Sequence, residues 1–192
     1  MRLIRSSDYR RMPWKNGGGE TAEIAIAPAG APLDTFDWRI SMARVDADGP
    51  FSAFAGVERT LAVLNGAGIS LQVAERGAVE LTAESAPYLF PADVATSAVL
   101  LGGPITDFNV MTRRGRASQD VRRERLSGEI LASAARKTTV IFCIDGSFQV
   151  NSATDALSVA ARDSLFLEPH DAPVRIAPDP EATVLIVEIA GA

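Results

Sequence analysis

Histidine and cysteine are almost missing from this chain of 192 residues, which holds one of each, His170 and Cys143. Imidazole and thiolate are the usual ligands of transition metals, so two isolated residues leave little from which to build such a site. Histidine general-base chemistry is equally hard to assign, and a single cysteine excludes an intrachain disulfide. Cys143 stands in the apolar run Val140-Ile141-Phe142-Cys143-Ile144 and reads as a small buried hydrophobe. No metal and no cofactor is therefore expected. Charge is missing in one sense too. The net charge of -5 argues against a general nucleic-acid binder. No apolar run approaches the length of a membrane span, and the start, Met1-Arg2-Leu3-Ile4-Arg5-Ser6, lacks the apolar centre of a secretory signal. The expectation is a cytoplasmic protein with no nucleic-acid or membrane partner.

Long amphipathic helical patterns are also scarce. Instead, short alternating runs are separated by Gly, Pro and Asp clusters, the pattern of an all-β chain. The expected strands of the first half are Thr21 to Ile26, Trp38 to Val45, Arg59 to Leu64, Ile69 to Val73, Val79 to Thr82, Tyr88 to Phe90, Val99 to Leu101 and Asp107 to Thr112. A basic stretch from Arg113 to Arg125 has no strong alternation and reads as a connection or short helix. Beyond it the pattern repeats. Thr60-Leu61-Ala62-Val63-Leu64-Asn65-Gly66 is echoed by Thr139-Val140-Ile141-Phe142-Cys143-Ile144-Asp145-Gly146, and Ile69 to Val73 by Ser147 to Val150. Two antiparallel β-barrel (jelly-roll) copies account for this most simply, because a sheet closed on itself has no exposed edge. The expected domains are 1–113 and 136–192, joined by a linker at 114–135.

Strands separated by Gly turns in this order resemble cupins, and the duplicated form a bicupin. A metal-binding cupin would carry His-x-His with a nearby Glu and a later His. The residues after Asn65-Gly66-Ala67-Gly68-Ile69 include no histidine, and His170 lies in a Pro-His-Asp loop.

The densest cluster of unusual choices is Pro13-Trp14-Lys15-Asn16-Gly17-Gly18-Gly19-Glu20-Thr21. Three consecutive glycines imply positive φ or a close approach to the backbone, and their N–H groups could form an anion-accepting nest. This segment has no counterpart in the second copy. Period-2 alternation adds neighbours. Thr21, Glu23 and Ala25 share one face, opposite Ala22, Ile24 and Ile26. Arg39, Ser41, Ala43 and Val45 face together, as do Asp107, Asn109, Met111 and Arg113; Arg59 opens an otherwise apolar strand. Such faces either meet water or line a ligand site. The mixture of Thr, Ser, Asn, Arg and Glu suits directed hydrogen bonds, and the second copy has Val184, Ile186 and Glu188 in place of Asp107, Asn109 and Met111. The candidate ligand set is Trp14, Lys15, Asn16, Gly17, Thr21, Glu23, Arg39, Ser41, Arg59, Asp107, Asn109, Met111 and Arg113. Its bases outnumber its acids, so a small anion with a carboxylate suits it.

The motif from Pro13 to Ile24, together with Trp38-Arg39-Ile40-Ser41-Met42-Ala43, the run Gly49-Pro50-Phe51-Ser52 through Glu58-Arg59-Thr60-Leu61, and Gly103-Pro104-Ile105-Thr106-Asp107-Phe108-Asn109-Val110-Met111, resembles the HutD/Ves family. The resemblance implies a bicupin fold in a bacterial cytoplasmic protein. For HutD members it implies a regulatory role in histidine utilisation through a small pathway metabolite. The expected ligand is urocanate or a formylated acidic amino acid. Two alternatives stand beside it. One is a metal-independent isomerase or hydrolase with Glu23 or Asp107 as general base. The other is a protein–protein regulator whose second copy is a dimerisation surface, and a homodimer remains possible.

Overall fold

The computed structural model describes residues 1–14, 17–152 and 156–192. The described chain forms two compact units. One, here the central unit from its place in the sequence, is Arg10–Ser118 with Ala192; the other, the terminal unit, combines Met1–Tyr9 with Gln119–Gly191. Among the described residues no helix is long and apolar enough to cross a membrane.

The structure is almost wholly antiparallel β-sheet and cupin-like, but its sheets do not close into barrels. The central unit contains two open sheets. The strands of the first, in spatial order, are β2 (Arg10–Pro13), β3 (Gly19–Ala27), β4 (Trp38–Val45), β11 (Ile105–Arg113), β6 (Val57–Asn65) and β9 (Tyr88–Pro91). The second runs β5 (Gly49–Pro50), β10 (Thr96–Leu100), β7 (Ile69–Val73) and β8 (Gly77–Leu81). Closure is expected because it removes edges, yet three of the four edges here are blunted by other means. Pro13 in β2, Pro50 in β5 and Pro91 in β9 offer no N–H to a further strand, and all three strands are short.

The terminal unit has one sheet whose main path is β1 (Arg2–Ile4), β16 (Ser164–Leu167), β14 (Thr138–Asn151), β17 (Val174–Gly191) and β12 (Ala117–Leu126). Two further strands, β13 (Ile130–Ala132) and β15 (Ala156–Ala160), pair with β17 and β14. The basic stretch expected as a connection or short helix thus supplies strands. Its charges are held across strands, Arg122 to Glu188 at 3.4 Å and Arg125 to Glu181, so weak hydrophobic alternation is compatible with an edge strand here. β14 and β17 are longer than the sequence suggests, because bulges near Asp145-Gly146 carry one ladder through what reads as a turn.

Each unit has its own apolar core. In the central unit Leu61 and Val63 of β6 meet Ile69, Leu71 and Val73 of β7, with Phe90, Ala98 and Ile105 beside them and Trp14 packed against the group. The site therefore begins where this inter-sheet core gives way to polar side chains along β3, β4, β6 and β11.

Candidate functional site

Register places the polar residues. Glu23 on β3 pairs with Ser41 on β4, Ser41 with Asn109 on β11, and Asn109 with Leu61 on β6. One row along, Arg39 pairs with Met111 and Met111 with Arg59; in the other direction Thr21 pairs with Ala43 and Ala43 with Asp107. Directly paired residues of a ladder share a face. Glu23, Arg39, Ser41, Arg59, Asp107 and Asn109 consequently stand on one side of one sheet.

A bulge shapes the row. Between Glu23 and Ala25 the pairing slips by one residue, so that Ala25 meets Ile40 and Ile26 meets Arg39. Ile26 is thereby carried to the side of Arg39, not left with Ala22 and Ile24 as strict alternation expects.

Two hydrogen-bonded groups result. In one, Arg39 donates from Nε to Glu23 Oε2 at 2.7 Å. In the other, Arg59 donates from Nε to Asn109 Oδ1 at 2.8 Å and from Nη2 to the same oxygen at 2.5 Å. The Asn109 amide in turn donates from Nδ2 to Asp107 Oδ1 at 2.7 Å. The Arg59 guanidinium carbon lies 4.4 Å from the Phe51 ring centroid and 5.9 Å from that of Phe90, within the range of a cation–π contact. Among the described residues no carboxylate lies within ion-pair distance of Arg59; its charge is met by an amide oxygen and two ring faces.

Exposure is graded over this face. Glu23 is 12% exposed, Arg59 8% and Asp107 0%. Burial pushes the Asp107 carboxyl up to about 6, against the opposing pull of Arg59, the Asn109 side chain and the Ala43 peptide. Burial likewise lowers Arg59 from its ordinary value, while Asp107 acts to raise it and Arg39 to lower it. The guanidinium remains charged at neutral pH.

The remaining expected residues divide. Trp14 donates from Nε1 to Thr21 Oγ1 at 2.8 Å and packs on the inter-sheet core. Gly17 has φ +71° and its N–H donates to the Trp14 carbonyl at 3.1 Å. Gly19 is required by space, since a Cβ there would lie 2.0 Å from the Arg44 carbonyl oxygen. Met111 sits in an apolar cluster with Phe36, Val57 and Ala92. Arg113 donates to the carbonyls of Phe36 (2.9 Å), Ala55 (3.1 Å) and Asp34 (2.7 Å), gathering two loops. Lys15 and Asn16 lie outside the described residues. Phe51 and Phe90, which bracket Arg59, are not among the residues expected from sequence. Phe90 lies on β9 directly opposite Arg59, and only that pairing shows its part.

Among the described residues no group of three or more His, Cys, Asp and Glu side chains is placed to hold a metal ion. Among the described residues the face instead presents one guanidinium ion-paired to a carboxylate and one held by an amide oxygen, beside hydroxyl and amide groups, an arrangement able to bind a small anion through charge-assisted hydrogen bonds.

The family model described as HutD matches residues 6–186. The chain is 36% identical over 174 residues to the "Uncharacterized 21.2 kDa protein in hutC 3'region" of Pseudomonas putida, covering 89% of this chain and 88% of that one. It is 35% identical over 147 residues to "Protein Ves" of Citrobacter koseri, covering 74% of each. Among solved structures, the "Conserved Protein of Unknown Function PA5104" of Pseudomonas aeruginosa PAO1 superposes with a TM-score of 0.87 at 34% identity over 98% of both chains.

Proposed function

The chain belongs to the HutD/Ves family of bicupins associated with histidine-utilisation loci, and we propose that the polar face of its central unit binds urocanate or a formylated acidic amino acid as a regulatory signal. The observation that carries this is Arg59. Burying a guanidinium is costly unless it is paired, and this one makes no direct ion pair among the described residues, its counter-charge, Asp107, standing behind Asn109. A ligand carboxylate completes it, presenting two oxygens to the planar fork. Arg39, already bound to Glu23, adds positive field from the same face. Ser41 and Asn109 are the polar groups nearest in register for an amide or imidazole, and Trp14, held by Thr21, covers the neighbouring turn.

A binding and regulatory role fits the carboxylates better than a catalytic one. A general base must reach the proton it removes. Glu23 is engaged by Arg39, and Asp107 is fully buried behind Asn109. The ligand is the one partner this role needs, whether the protein is a monomer or a homodimer, and the proposed site of action is the cytoplasm, where no nucleic-acid or membrane contact is required.

Isothermal titration with urocanate and with N-formylated glutamate tests the assignment. Loss of a bidentate charged contact predicts about 100-fold weaker binding for Arg59→Ala, with Arg59→Lys falling between it and the wild type. No heat with either compound, or equal affinities for wild type and Arg59→Ala, overturns it.

A further inference from the structure

We propose that Asp107 is a positioning residue that takes up a proton when a carboxylate binds Arg59; this rests on Arg59 being the anion receptor. Three observations on the face carry it.

The first is orientation. Asn109 can receive two donors of Arg59 on Oδ1 only if its Nδ2 points the other way, and Asp107 Oδ1 holds it there. Asp107 therefore sets the direction in which Arg59 presents its guanidinium, without itself reaching a ligand. The second is an open acceptor. Asp107 Oδ2 is buried and accepts no hydrogen bond of ordinary geometry among the described residues, the pull of the Ala43 peptide on the carboxylate notwithstanding. A proton arriving from solvent can sit on Oδ2 while Oδ1 still accepts from Asn109, so protonation leaves the chain of hydrogen bonds intact.

The third is charge. The groups sharing the face with Asp107 are Glu23 on β3, Arg39 on β4 and Arg59 on β6. Tyr88 lies at the end of β9, and the facing sheet contributes apolar Ile69, Leu71, Val73 and Ala98. With both carboxylates ionised, Glu23 balances Arg39 and Asp107 balances Arg59. A bound carboxylate adds one negative charge to a poorly solvated region. Protonation of Asp107 restores the balance, and burial already brings this carboxyl to about 6. Binding and proton uptake then reinforce each other: affinity is highest at mildly acidic pH, where the ligand remains ionised, and falls as pH rises through neutrality.

The test follows the Asp107 side-chain carbon and the Arg59 Nε–H together by NMR across pH 5 to 8, with and without saturating formate, and repeats this with urocanate. Asp107→Asn identifies the carboxyl signal. A unit charge within about 10 Å at an effective dielectric of about 20 shifts a carboxyl by about one pH unit, so the Asp107 midpoint should rise by about that much. Asp107→Asn keeps an oxygen acceptor for Asn109 but cannot titrate. It should bind formate about tenfold more tightly than wild type at pH 8 and show no change in affinity over this range, whereas a purely structural role would weaken binding at every pH. If the Arg59 signal responds to formate while the Asp107 midpoint stays put, the proposal falls and the anion receptor stands. If neither carboxylate moves the Arg59 signal, both fall.

Discussion

The two units fill the same ladder in opposite ways. Their matching hairpins fix the comparison: a Cβ at Gly66 would lie 2.6 Å from the Pro104 carbonyl oxygen, and one at Gly146 2.3 Å from that of Glu181. Counting back from these glycines sets Arg59, Leu61 and Val63 of β6 against Thr139, Ile141 and Cys143 of β14. Across the ladders, Met111, Asn109 and Asp107 stand against Glu188, Ile186 and Val184. In the terminal unit Ile141, Cys143, Ile186 and Val184 join one apolar core. Glu188 is turned to Lys137 and Arg122 at 2.7 and 3.4 Å. In the central unit the corresponding row holds a hydrogen-bonded chain of Asp, Asn and Arg. The lesson is that the ladder itself needs no polar side chain at these positions. Their presence in one unit is a cost that the other unit's apolar row avoids.

The comparison breaks most visibly if the polarity is moved. Ile186→Asp places a carboxylate in the terminal core directly opposite Ile141, and should cost about 4 kcal/mol or more in urea unfolding; a wild-type midpoint would mean that the two interiors are not as different as they look. A smaller effect comes from Asp107 itself. Its folded value of about 6 lies above the unfolded 3.8, so its contribution is fully present below pH 4 and lost as pH rises through 6. Asp107→Asn has no such loss. The stability difference between Asp107→Asn and wild type should therefore move in favour of Asn by about 2 to 3 kcal/mol between pH 4 and pH 7, measured by unfolding at both pH values. A flat difference would remove the electrostatic contrast between the units. The smallest effect concerns Trp14, whose segment is present on the central side alone. Trp14→Phe keeps a ring on the core but loses the bond to Thr21, and should cost about 1 kcal/mol; Thr21→Val should cost about the same, with little added when the two are combined.

Much of the strand layout is legible in the sequence because period-2 alternation is a local property. β4 and β7 have the boundaries that alternation suggests, Trp38–Val45 and Ile69–Val73. The shared face of Arg39, Ser41, Asp107 and Asn109 is legible for the same reason. Features that depend on distant partners are not. Closure into barrels is a fair inference from many short strands, but Pro13, Pro50 and Pro91 blunt three edges of the central unit instead, and as letters they read as turn signals. β12 is hidden because its charges find partners on β17. The bulge after Glu23 moves Ile26 to the other face, and one slipped residue is invisible to a counting rule. Arg113 stands in phase with Asp107 and Asn109, yet at the end of its strand it is free to turn to loop carbonyls. The echo that starts at Thr60 and Thr139 is one residue out of step with the ladders, and it conceals that Thr139 holds the place of Arg59.

Strand β1 pairs Leu3 with Leu165, and Tyr9 donates to the Arg162 carbonyl at 2.6 Å. During synthesis β1 must therefore wait until the central unit and β16 have followed it before it finds its neighbours. The central unit, contiguous from Arg10 to Ser118, can assemble while translation continues. The terminal unit cannot complete its sheet until β16 has emerged, and it closes a loop of about 160 residues to do so. Nascent chains of this protein should thus acquire a protease-resistant segment over Arg10–Ser118 before β1 becomes protected.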